Sequence, residues 1–185
     1  MYGERTAPAC SYIIKGRTVQ LSSIVLGKVN EISGHSFCVS EIAIQTGAGQ
    51  VPTMSINGQQ IEDNATEACT TTASGTTVTG LHHAQTFGAF TISGQGAHLT
   101  QSSWSAACTI NTAEKDGVMI AHDITDGRMT VTGTIQVSNA SYPTPVLSVA
   151  DGWQITSPLS ETNPNGDYPT YSFTLTKYLT AVEPA

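Results

Sequence analysis

The segment Arg128-Met-Thr-Val-Thr-Gly-Thr-Ile-Gln-Val137 alternates apolar and polar residues almost without fault. Successive side chains of an extended chain point to opposite faces. Met129, Val131, Ile135 and Val137 therefore share one face, and Arg128, Thr130, Thr132, Thr134 and Gln136 share the other. A period of two belongs to a half-buried β-strand, since an amphipathic helix needs spacings of three and four. Asp126-Gly127, just ahead of the segment, is a hairpin-type turn signal.

The same pattern of short Thr-rich stretches between Gly and Asn punctuation recurs along the chain. Residues 36–45 read as a strand with Cys38, Ile42 and Ile44 opposite Phe37, Val39 and Ala43, and Gly47-Ala-Gly49 breaks it. Asn57-Gly58 within residues 51–61 predicts a hairpin turn. Residues 87–92, 97–99 and 106–112 read as further short strands. Asp116-Gly117 and Asp126-Gly127 bracket residues 118–124, so 106–137 reads as a β-meander that Tyr142-Pro-Thr-Pro145 ends, because proline cannot donate to a central ladder. In the last strand, 170–179, Tyr171, Phe173, Leu175 and Leu179 share a face with Lys177, whose stem can snorkel. The only helical candidates, 22–29 and 111–117, are short.

Many strands with turn signals roughly every ten residues predict one all-β domain over residues 11–180, a β-sandwich or partly open barrel of short antiparallel strands with little helix. Residues 1–10 read as an N-terminal arm, 62–80 as a Thr-rich loop or hairpin, and 181–185 as a tail.

The polar face of residues 128–137 carries one charge, at Arg128, and the whole chain is similarly sparing. Charged residues are 11% of the 185, against about 25% in an average soluble domain. Twenty-seven threonines and eighteen serines stand in their place. Threonine is β-branched and tolerates a half-wet strand surface. A surface poor in Lys and Glu also lacks the usual protection against association, which favours life in an assembly. Seven basic against fourteen acidic residues leave a net charge of −7, which excludes the basic footprint of a nucleic-acid binder. An acidic wall remains compatible with passive contact, since it repels phosphates. The first residues hold no apolar signal segment, and no run reaches 18 apolar residues. The expectation is a chain made in the cytoplasm with no membrane partner. Cys10, Cys38, Cys69 and Cys108 are widely spaced without a C-x-x-C. Four cysteines permit two disulfides, but in the cytoplasm they are expected as thiols.

No catalytic motif survives inspection, and the chain is read as a non-enzyme with no cofactor. Gly34-His-Ser36 mimics only a fragment of a nucleophile site, and no G-x-S-x-G is present. His82, His83, His98 and His122-Asp123 lack the H-x-H spacing of a barrel metal site, so no metal is expected. Glu62-Asp63, Asp123, Asp126 and Asp167 stand mostly beside turn residues rather than as a glycosidase pair. Trp104 and Trp153 offer a sugar-stacking platform, against which stands the commoner role of filling a core.

A small acidic β-protein rich in Thr, Ser and Gly, ending in Tyr168-Pro-Thr-Tyr-Ser-Phe-Thr-Leu-Thr-Lys-Tyr-Leu179, resembles bacteriophage virion proteins, most of all the tail-tube class. The likeness covers composition and residues 106–180. It implies β-sandwich subunits that close into homo-oligomeric rings, commonly hexameric, stacked into a tube around a DNA conduit, with other virion proteins as partners and the virion as location. On that resemblance Arg128, Thr130, Thr132, Thr134, Gln136, Thr70, Thr71, Thr72 and Tyr2 are expected at contacts between copies. A head-decoration protein and a carbohydrate-binding or adhesin domain are the alternatives.

Overall fold

The computed structural model describes residues 9–15, 18–19, 24–26, 29–32, 35–50, 53–60, 66–67, 71–73, 78–79, 84–115, 118–162 and 168–179, with side chains at 38–50, 53–58, 84–111, 125–162 and 168–179. These residues form fifteen strands and no helix: β1 (Ala9–Lys15), β2 (Thr18–Val19), β3 (Ile24–Leu26), β4 (Val29–Ile32), β5 (His35–Gly47), β6 (Thr53–Gln60), β7 (Thr66–Glu67), β8 (Thr71–Ala73), β9 (Val78–Thr79), β10 (Phe90–Ser93), β11 (Ala97–Lys115), β12 (Val118–Val137), β13 (Val146–Val149), β14 (Gln154–Thr162) and β15 (Thr170–Tyr178). The main sheet runs β1-β6-β5-β11-β12-β15-β14, antiparallel at every step. β4 adds antiparallel to β5, and β7 adds parallel to β12. The sheet is open, and β10-β13, β2-β9 and β3-β8 are separate two-stranded ribbons.

Period-two burial builds the core on one face of this sheet. Met129, Val131, Ile135 and Val137 are all buried, as the alternation in the sequence requires. Cross-strand register aligns Ile14, Met54, Ile44, Trp104, Val131, Leu175 and Ile155 in one row across all seven strands. Such directly opposed pairs are the unit of sheet stabilisation. The β10-β13 ribbon supplies the second layer: Phe90, Ile92 and Leu147 join the core, and the Phe90 ring meets Phe173 edge-on with centroids 4.8 Å apart. Gly133 lies on the core face beneath Phe173 and Leu99 and leaves room for both. Beside β10, Phe87 (φ +54°) carries its ring into the core. The segment before it is pinned where the buried Thr46 and Ser102 hydroxyls, 2.8 Å apart, accept the Gln85 amide N–H at 3.1 and 2.9 Å.

Two expected turns are interior to strands, and Asp116-Gly117 lies outside the described residues. Asn57-Gly58 sits inside β6, opposite Glu41 and Val39; the β5–β6 connection falls instead around Gly47–Gln50, where Gly49 has φ +75°. Asp126-Gly127 sits inside β12, where two residues oppose the single Cys108 between the pairs Ala107↔Arg128 and Thr109↔Thr125. That is a β-bulge, with Asp126 in the left-handed region (φ +54°). The dipeptide supplies the backbone conformation expected of it, but to kink a strand rather than reverse it. Residues 97–137 are thus one long hairpin of 19- and 20-residue strands, paired through three register shifts up to Lys115↔Val118, not a meander of short ones. A second bulge at Ser40 turns Val39 onto the face of Ile42 and Ile44 and Cys38 onto the other, which reverses the grouping expected from strict alternation.

β1 begins at Ala9, inside the expected arm, and 1–8 and 181–185 lie outside the described residues. Within 62–80, β8 and β9 pair with β3 and β2 rather than with each other. The helical candidates hold β3 and β4 at 22–29, and at 111–117 the end of β11.

Candidate functional site: the uncharged face of the central sheet

The reverse face of the main sheet follows from the same alternation. Register stacks its side chains in rows: Ala43, Ser105, Thr130, Thr176 and Gln154 in one, and Gln45, Ser103, Thr132, Thr174 and Ser157 in the next. A third holds Gln101, Thr134, Ser172 and Ser160. None of these side chains is charged. With strands about 4.8 Å apart and alternate residues about 6.8 Å apart, the field spans roughly 19 by 14 Å. Glu41 and Arg128 stand together at one end of it, in the row Glu41, Ala107, Arg128, Tyr178. The Glu41 carboxylate there accepts the Asn57 amide N–H at 2.9 Å.

The field is hollowed into an open trough of about 430 Å³ whose lining includes Gln45, Gln101, Ser103, Thr132, Thr134 and Thr174. Its hydroxyls brace neighbouring strands. Ser103 Oγ and Thr132 Oγ1 are 2.6 Å apart, Thr156 Oγ1 and Thr176 Oγ1 are 3.1 Å apart, and the bulged Thr100 donates to the Thr134 carbonyl at 3.0 Å. Hydroxyl and amide groups both donate and accept, so the trough can meet water, a phosphate-free polar surface or a like face without a charge to desolvate.

Of the residues expected at contacts, Arg128, Thr130, Thr132, Thr134 and Gln136 lie together on this face, exposed or half-buried. Thr71 and Thr72 lie in β8, opposite Leu26 and Val25; Thr70 and Tyr2 lie outside the described residues. The flanking contributions of Gln101, Ser103 and Ser105 from β11, and of Ser172 and Thr174 from β15, were absent from the expectation. Their signal was available: both stretches repeat the polar alternation of 128–137.

Other candidate groups fall elsewhere. Trp104 is fully buried in the core, its indole N–H without an acceptor among the described residues, so it offers no sugar platform. Trp153 is half-buried against the core. Cys38 and Cys108 are thiols, and burial pushes the Cys108 thiol up to about 11 from an ordinary 9.0. Among the described residues, no three His, Cys, Asp or Glu side chains gather as a metal site would require. His98 is exposed opposite Gln136, while His82 and His83 lie outside the described residues. Comparison with family models, with curated proteins and with solved structures finds no match to this chain.

Proposed function

We propose that this protein is a structural subunit of a phage-like virion, a tail-tube-type protein that assembles into homo-oligomeric rings around a conduit for DNA. The observation that carries this reading is the open main sheet: among the described residues β1 and β14 each have a single neighbour in it. Unpaired strand edges invite pairing with another chain, and closing them between copies removes the liability. At the β14 edge Ile155 is 47% exposed, and Val146 and Val149 of the neighbouring β13 are 59% and 39% exposed. Those apolar side chains suit a border that another copy covers. The uncharged trough then faces either the conduit or a stacked ring. As a conduit wall its trough offers DNA hydroxyl and amide groups, with Arg128 only at one end of the face, so it holds phosphate weakly.

The test is the particle mass of the purified chain by multi-angle light scattering. A defined multiple of 19.4 kDa that holds on dilution is expected. A monomer at high concentration refutes self-assembly and favours a decoration protein, which orders only on a preformed shell, or an adhesin domain.

A further inference from the structure

Resting on the ring reading, we infer that neighbouring copies join in a parallel seam, with β14 of one copy beside β1 of the next. The strand count dictates the direction. Along β1-β6-β5-β11-β12-β15-β14 every step is antiparallel, so an odd number of strands leaves the first and last running the same way. Rotation about a ring axis repeats the same order of strands from copy to copy. A head-to-tail seam between the two edges is therefore parallel, whatever the ring size. An antiparallel seam would require an even number of strands, or a twofold that pairs β14 with itself and closes a dimer instead of a ring.

One feature fits the second copy as the occupant. The apolar row Met54, Ile44, Trp104, Val131, Leu175 ends at Ile155 on one edge and at Ile14 on the other. A parallel seam without stagger sets Ile155 level with Ile14 of the next copy, so the register row continues through the ring.

The experiment places the photo-crosslinker p-benzoylphenylalanine at Gln154 or at Thr162 of the full chain. Assembled mixtures of isotopically light and heavy copies are irradiated, and the linked peptides are identified by mass spectrometry. Within one open sheet β1 and β14 stand six strand spacings apart, roughly 29 Å, and the mixed isotopes mark links between copies. The expected result is a link from position 154 to the middle of β1, and from position 162 only to residues beyond Lys15. The reverse order overturns the parallel seam, and so does an assembly in which neither position reaches β1; both outcomes leave the ring reading standing. Absence of any assembly removes the ring reading and the seam with it.

Discussion

At the scale of single residues, the fold depends on places where one atom more or less decides. Gly133 is such a place: a Cβ there would overlap the Phe173 ring, approaching Cε1 at 2.7 Å and Leu99 Cδ1 at 3.3 Å. Phe173 is held in turn against Phe90 and has nowhere to retreat. Gly133→Ala should therefore cost about 1–3 kcal/mol, the usual penalty of overpacking, and lower the melting temperature by several degrees in a circular-dichroism melt. An unchanged melt would mean that the ring moves freely. Cys108 makes a second prediction. Its folded pKa lies near 11 against an unfolded 9.0, because burial disfavours the thiolate. Between those values the unfolded chain releases the proton first, so unfolding is favoured as pH rises. The contribution of the neutral thiol is complete below about pH 9 and is lost as pH climbs through about 11. Relative to Cys108→Ala, the wild type should lose stability across that window in urea titrations, and parallel curves would refute the assignment.

Among the elements, the strands differ in how much surrounds them. β12 has neighbours on both sides over residues 128–136, paired with β11 and β15, whereas β14 has one neighbour and a broken register. Backbone opening should follow that order. Hydrogen exchange of the unassembled chain should leave peptides from 128–136 the slowest and those from 154–162 among the fastest; equal protection in both would contradict the edge position of β14. The same contrast explains what the sequence made legible. The buried and exposed faces of β12 and β15 follow from alternation alone, because neither strand is bulged over its paired central stretch. Alternation fails at Val39 and Cys38, where the Ser40 bulge adds a residue and shifts the phase. Asn57-Gly58 and Asp126-Gly127 mark local backbone conformations, but whether such a dipeptide reverses a chain or kinks it depends on partners remote in sequence. Gly58 is held opposite Val39, and Asp126-Gly127 opposite Cys108. The uncharged field was half legible for a related reason: its β12 column is local, while its neighbours are set by register between strands distant in the chain.

For the whole molecule, the charge pattern and the open sheet bear on the same account. A chain of net charge −7 repels its own copies in general, yet β13 carries no charge and β14 carries only Glu161. That border is where identical copies approach at least electrostatic cost. An inward-pointing charge is a natural way to blunt a sheet edge, so Ile155→Lys, at a position already half exposed, should leave the monomer folded and abolish its assembly. Negative-stain electron microscopy of the purified wild-type chain, with Ile155→Lys as its control, shows whether copies close into rings. Closed annuli or stacked tubes are expected for the wild type and dispersed small particles for the variant. A wild-type field of dispersed monomers would contradict the ring reading.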